Sequence, residues 1–364
     1  MKINAAVVYE KNGPFVIKEV DLAEPKGNEL IVKIAGCGVC HTDEVVRAGM
    51  FDIPFPVILG HEGSGIVEKI GPNVKNLKPG DAVILAPYSC GKCEYCLSGH
   101  PAECIHMYSG NFLGHYSDGK TRHIDSDGSS ISSLFCQSAF ASHAITNERN
   151  AIKIDATGID LAILGPLSCG IQPGAGAVLN IIKPEPGTSF AVFGCGAVGL
   201  AAVMAAKLAG CTVVIGIDVN NGRLETAKEL GCTHVINGKD ITDLTAEIMG
   251  ISGGINSALD TTGIPAIINA GIDALKPFGA MAFCAAMKQK TFEVSLSIRT
   301  DSKKLIGVTE GDSNYPLFLP KLLEYYKGGV LPFDKLTKYY RIDEIEKAFE
   351  DALSGETIKP IIRL

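Results

Sequence analysis

The chain has 364 residues, 46% apolar and 20% charged, an ordinary globular balance with length for about two domains. Its net charge of -7, from 33 basic against 40 acidic side chains, argues against nucleic acid or an anionic membrane surface as partner. No apolar run approaches the ~18 residues that span a bilayer, and residues 1–10 interrupt their apolar positions with Lys2, Asn4 and Glu10, so a soluble cytoplasmic protein is expected. In a chain of this size with no secretory pattern, the 12 cysteines read as metal ligands and buried thiols, not as a disulfide framework.

Along residues 3–59, short apolar runs such as Ala5-Ala6-Val7-Val8 and Phe15-Val16-Ile17 alternate with Gly, Pro and Asn, which predicts a compact β barrel or sandwich. Residues 39–48 predict one or two helical turns starting at Cys40, which is followed by His41, Thr42 and Asp43. His61 lies between Gly60 and Glu62, and Cys169 lies in Gly165-Pro166-Leu167-Ser168-Cys169-Gly170. Cys40, His61 and Cys169 together make three ligands for Zn²⁺ with the fourth position open, which is how a catalytic zinc is held. The plainer alternative is that both cysteines are small buried hydrophobes. Asp43 is suited to orient His61 through the ring nitrogen that does not face the metal.

Cys90, Cys93, Cys96 and Cys104 follow, with two, two and seven residues between them. Four thiolates close a tetrahedral site and leave no place for substrate, so a metal there is structural. A disulfide pair or an iron–sulfur cluster is the competing chemistry. Residues 110–133, rich in Gly, Ser and Asp, read as a solvated loop, and His115 and His123 within it have no ligand set around them.

In the second half, the apolar run Ser189-Phe190-Ala191-Val192-Phe193 leads into Gly194-Cys195-Gly196-Ala197-Val198-Gly199 and a helical stretch over 200–209. The first glycine permits a tight turn, the second a close approach to a pyrophosphate, and the third close packing of helix on strand. A second apolar run ends in Asp218, at the distance of about 20 residues where a carboxylate meets the ribose hydroxyls. A carboxylate there repels a 2′-phosphate, so NAD is favoured over NADP; the alternative is that Asp218 caps the next helix. Helical and strand patterns then alternate to about residue 284, which predicts a doubly wound parallel sheet.

Taken together, these motifs resemble the zinc-dependent medium-chain alcohol dehydrogenases, and among them the bacterial aryl-alcohol (benzyl-alcohol) branch. The resemblance runs from the first strand to the terminal Lys359-Pro360-Ile361-Ile362. It implies an α/β fold in which a Rossmann coenzyme domain, 171–308, is inserted into a GroES-like β-barrel catalytic domain, 1–170, completed by 309–364, with the active site in the cleft between them. It implies two zinc ions per chain, the catalytic one on Cys40, His61 and Cys169 and the structural one on Cys90, Cys93, Cys96 and Cys104.

It further implies that Thr42 takes the alcohol proton and that Glu62 assists ligand exchange at the metal. His41, Arg223 and Lys359 would touch the cofactor phosphates or ribose, alongside Gly194, Gly196, Ala197, Val198, Gly199 and Asp218; Lys359 reads equally as a solvated lysine. Phe51 and Ala86 fall where the family lines its substrate channel. Val45 stands where well-studied relatives carry a proton-relay histidine, so the relay is expected to end at the ribose and water. The expected activity is reversible, NAD-linked oxidation of a primary aromatic or allylic alcohol to its aldehyde. The alternatives are dehydrogenation of hydroxymethyl-glutathione, a terpene alcohol or a polyol, and a non-catalytic NAD(H)-binding relative. A homo-oligomer, most readily a tetramer, is the expected assembly.

Overall fold

The first strand, Lys2–Val8, pairs antiparallel with Phe15–Leu22 in unbroken register, Lys2 opposite Asp21 and Val8 opposite Phe15. With Val57–Ile58, Ser130–Ser133 and His123–Ile124 these form a closed five-stranded barrel, which leaves no unpaired edge. Ile3, Val7, Val20, Leu22, Ile58 and Ile131 pack as one of its buried clusters. The computed structural model describes residues 1–285 and 290–364. Their packing divides into a first unit of Met1–Gly170, Asn314–Glu324 and Asp334–Leu364 and a second of Ile171–Ser313 and Tyr325–Phe333.

Two strands of the barrel come from the stretch expected to be a solvated loop, and that expectation is corrected here. The Gly, Ser and Asp of 110–133 are turn residues around very short strands: the Asp125 carbonyl accepts from Gly128 N–H at 3.0 Å, and Asp125 N–H donates to Ser129 O at 2.8 Å. His123, read as solvated, is 0% exposed.

Beside the barrel, the first unit holds a seven-stranded sheet centred on Glu29–Gly38. One flank of this strand carries Glu62–Ile70; the other carries His143–Asn147 along its first half and the C-terminal strand Lys359–Arg363 along its second. Gly38 is therefore opposite Glu62 on one side and Ile361 on the other. That register brings three segments remote in sequence to one place, just before the chain turns into the helix His41–Arg47. Asp43 and Glu44 in its first turn and Arg47 in its last complement the helix dipole.

The second unit is a six-stranded parallel sheet in the order His234–Asn237, Val213–Asp218, Ser189–Phe193, Ile255–Asp260, Leu275–Phe283, Lys304–Gly307. Helices Ala197–Leu208, Asn221–Leu230, Leu244–Ser252 and Pro265–Ala274 alternate with the strands. Ser189–Phe193, first in the chain, lies in the middle of the sheet with its successors on either side. Strand order reverses there, and such a switch point leaves a crevice at the strand's carboxyl end. Among the described residues no single helix is long and apolar enough to cross a membrane.

Candidate active site

Ligand-forming atoms of Cys40, His61, Glu62 and Cys169 all lie within 4.8 Å of one another. Cys40 is the N-cap of the helix His41–Arg47, and its sulfur stands 3.9 Å from that of Cys169. Asp43, 0% exposed, organises both halves of this cluster. Its Oδ2 accepts the Cys40 N–H at 3.2 Å, while Oδ1 accepts the Gly60 N–H at 2.9 Å and lies 2.9 Å from His61 Nδ1. An ionised carboxylate only accepts, so His61 carries a proton on Nδ1 and in its neutral form offers the Nε2 lone pair. Nε2 is buried and has no hydrogen-bond partner among the described residues. Gly60 makes the turn into this strand at φ +89°, and a Cβ there would lie 2.4 Å from Phe140 N.

The electrostatics suit a soft cation. The neighbouring Cys169 thiol, with Lys359 and His61, holds Cys40 well below the usual thiol range, so a thiolate is available. Burial pushes Glu62 up to about 7, against the pull of Lys359. Lys359 is the clearest departure from expectation: it is neither solvated nor free to meet a cofactor phosphate. It is buried, and its ammonium donates to Val39 O at 2.9 Å and to Glu62 Oε1 and Oε2 at 2.9 and 3.1 Å. An ammonium has three protons, and these acceptors engage all of them. The pairing follows from the strand register, which sets Lys359–Arg363 beside Glu29–Gly38.

Thr42 Oγ1 is 3.8 Å from the Cys40 sulfur, and His41 is exposed at the first helical position. Phe51 is half-buried and stacks on Phe112 at 4.2 Å. Ala86 is closed off from solvent at 1% exposure, so it does not line an open channel. Two neighbours were not anticipated. The Phe135 ring lies 4.7 Å from the His61 ring, and Gln137 Oε1 accepts the Gly63 N–H at 3.4 Å. Neither position carries a local sequence signal, since both lie on a turn more than 70 residues from the His61 and Gly63 they touch.

The second cluster gathers Cys90, Cys93, Cys96 and Cys104 with their sulfurs within 4.8 Å of one another. Tetrahedral zinc with bonds of about 2.3 Å needs sulfurs about 3.8 Å apart, and the spacing suits one such ion. Backbone N–H groups of Cys90 and His106 point at the Cys104 sulfur at 3.3 and 3.4 Å, and Cys93 N–H points at the Cys90 sulfur at 3.4 Å. Such donors stabilise thiolates. All twelve cysteines are free.

In the second unit, Gly194 turns the chain at φ +92°, Gly196 is the N-cap of Ala197–Leu208, and Ala197, Val198 and Gly199 form its first turn. A Cβ on Gly199 would lie 1.8 Å from Gly194 O, so only glycine lets helix and loop close this tightly. Asp218 ends the adjacent strand with Oδ2 on Cys195 N–H at 2.7 Å and Oδ1 on Val219 and Asn220 N–H at 2.7 and 2.9 Å. The next helix is capped by Asn220, whose side chain accepts the Arg223 N–H, not by Asp218, and the three bonds to Asp218 leave one of about four lone-pair positions for a ribose hydroxyl. The Arg223 Nε on the following helix is buried and has no partner among the described residues.

Residues 26–156 match the model of the alcohol dehydrogenase GroES-like domain, and residues 197–324 that of the zinc-binding dehydrogenase domain. The chain is 41% identical over 362 residues to a geraniol dehydrogenase of Castellaniella defragrans, spanning 98% of this chain and 96% of that protein. The chain belongs to the zinc-dependent medium-chain alcohol dehydrogenase family. Crystal structures agree with this membership across the whole length. A benzyl alcohol dehydrogenase from Acinetobacter calcoaceticus superposes with a TM-score of 0.96 at 41% identity, covering 100% of this chain and 99% of the other. An alcohol dehydrogenase zinc-binding domain protein from Burkholderia ambifaria gives 0.97 at 43%, with the same coverage. Oxidoreduction of an alcohol by hydride transfer is the general reaction of this family, and both thiol-containing clusters fit its zinc chemistry.

Proposed function

We propose that this dehydrogenase interconverts primary aromatic or allylic alcohols and their aldehydes with NAD⁺ as hydride acceptor. The observation that carries the reading is the cluster of Cys40, His61, Glu62 and Cys169 with the His61 Nε2 buried, unpartnered among the described residues and held in its tautomer by Asp43. Cys40, His61 and Cys169 would hold a zinc ion, which when bound polarises an alcohol or carbonyl oxygen as a Lewis acid. Asp43 fixes the imidazole, and Lys359 holds the Glu62 carboxylate beside the thiolates. Thr42 Oγ receives the alcohol proton and passes it toward the ribose and water. Asp218, through its remaining acceptor position, selects an unphosphorylated ribose. The names of the geraniol and benzyl alcohol dehydrogenases, one an allylic and one an aromatic alcohol enzyme, support the substrate class. We place with this reading a cytoplasmic homotetramer, for which light scattering on purified protein gives the subunit number.

Initial rates of NADH formation with benzyl alcohol, cinnamyl alcohol, geraniol, ethanol and a polyol, each with NAD⁺ and with NADP⁺, test the proposal. Turnover of the first three with NAD⁺ alone is expected. A preference for ethanol or the polyol would overturn the substrate class, and equal use of NADP⁺ would overturn the role of Asp218. Val45→His is expected to reduce the dependence of alcohol oxidation on buffer concentration; an unchanged buffer dependence would contradict proton exit through Thr42 to water.

A further inference from the structure

Four aromatic rings run outward from the metal-ligand cluster. Phe135 lies against His61, Phe112 meets Phe135 edge-on at 5.0 Å, and Phe51 stacks on Phe112 at 4.2 Å with 12° between the planes. Tyr108, 49% exposed, closes the outer end at 5.8 Å from Phe112 and 6.4 Å from Phe51. Offset-stacked and edge-on pairs are the arrangements that aromatic quadrupoles favour.

Tyr108 and Phe112 belong to the segment that leaves Cys104, the last thiol of the second cluster. The helix Met107–Asn111 is fastened at its end by Asn111, which is 1% exposed. Asn111 Oδ1 accepts the Tyr88 N–H at 2.8 Å and Nδ2 donates to Met107 O at 2.7 Å. Its carbonyl accepts the Phe135 N–H at 3.0 Å, and the Cys136 thiol donates to Gly110 O at 3.0 Å. Phe135 and Cys136 both have left-handed backbone, φ +54° and +49°, which costs energy for side-chain-bearing residues. The bonds from residues 110 and 111 hold that turn, and with it the face that Phe135 presents to His61.

We propose that Phe112 is a positioning residue that sets Phe51 and Phe135 as one aromatic wall beside the metal-ligand cluster, so that the four-thiol lobe tunes selectivity for flat, unsaturated alcohols. This rests on the alcohol dehydrogenase activity proposed above. A planar substrate extends the stack, whereas a flexible aliphatic one gains only apolar contact. Phe112 shapes the wall from behind Phe51 and need not touch substrate.

The test compares zinc-loaded wild type with Phe112→Leu, Phe112→Tyr and Tyr108→Leu. It reads kcat and KM for benzyl alcohol and hexan-1-ol, and benzyl alcohol binding without cofactor by ligand-observed NMR. One aromatic pair corresponds to about a three- to tenfold effect. Phe112→Leu is expected to lower the benzyl-over-hexanol ratio by that factor, through KM, and to weaken benzyl alcohol binding equally. Phe112→Tyr, which keeps the ring, should restore both. Tyr108→Leu, at an exposed position that does not threaten folding, should shift the ratio in the same direction by less.

A benzyl-selective wild-type enzyme whose ratio and binding survive Phe112→Leu overturns the proposal. If that variant does not fold, an unchanged ratio in Tyr108→Leu overturns it instead. A wild-type enzyme that turns over neither alcohol contradicts the functional reading, and this inference with it.

Discussion

Asp43 is the side chain on which both halves of the metal-ligand cluster depend, since one carboxylate serves Cys40, Gly60 and His61 at once. In Asp43→Asn one of these N–H groups must face an amide NH₂, although the size is unchanged. Zinc affinity at the Cys40 cluster is expected to fall about 10- to 100-fold, measured by chelator competition on the purified variant. His123 carries a separate prediction. Burial, with a smaller contribution from Arg122, lowers its pKa from 6.5 to about 4. Between those values the unfolded chain binds a proton that the folded chain refuses, so stability falls as the pH drops through this window. The shift corresponds to about 3 kcal/mol, present above pH 6.5 and lost near pH 4. Urea denaturation at intervals across this window should show that slope in wild type and a flatter one in His123→Gln.

Residues of this kind were legible in the sequence when their neighbours along the chain carried the signal. Cys40 with Thr42 and Asp43, and His61 with Gly60 and Glu62, announce themselves locally. Lys359 does not: its partner Glu62 is almost the whole chain away, and only the strand register brings them together. The same holds for Phe135 and Phe112, whose significance lies in ring contacts across three segments.

At the level of elements, the loop before the helix Ala197–Leu208 is fixed by a glycine that admits no side chain. A Cβ on Gly199 would overlap Gly194 O, so Gly199→Ala must push the helix Ala197–Leu208 away from its loop. NADH binding, followed by the cofactor's fluorescence, is expected to weaken by about 5- to 150-fold, in keeping with an overpacking cost of about 1–3 kcal/mol. The helix Met107–Asn111 is anchored by the Asn111 side chain to Tyr88 and Met107. Asn111→Ala leaves the part-buried Tyr88 N–H without its acceptor and should cost about 1 kcal/mol in urea denaturation. A cost near zero would mean that the backbone bonds to Phe135 and Cys136 and the neighbouring thiols hold the segment without the Asn111 side chain. The strands Ser189–Phe193 and Val213–Asp218 follow the sequence pattern closely because each is a short, nearly continuous apolar run, whereas Lys304–Gly307, with only two apolar residues, carried no such signal. The strands of 110–133 were missed for the opposite reason: with two to four residues each, they are dominated by the turns between them.

In the whole molecule, the N-terminal barrel, the central sheet and the C-terminal strand converge on one group of metal-ligating side chains. The second unit separately presents a glycine-rich loop at its switch point. Family membership gives the reaction class; the geometry of the clusters supports the residues proposed to carry it. The two clusters are chemically distinct, one closed by four thiols and one built from two thiols, an imidazole and a carboxylate. They should therefore respond differently when a single ligand is removed.

Zinc content and benzyl alcohol-dependent NADH formation, measured on the same preparations of wild type, Cys40→Ser and Cys93→Ser, test the central claim most directly. Two zinc ions per chain are expected in wild type, one for each cluster. Cys40→Ser should lose one ion together with at least about 99% of its turnover, since the metal's Lewis-acid role is worth several kcal/mol. Cys93→Ser should lose the other ion and keep the chemistry while losing stability. A Cys40→Ser protein that oxidises benzyl alcohol at the wild-type rate would contradict the assignment of this cluster as the active site.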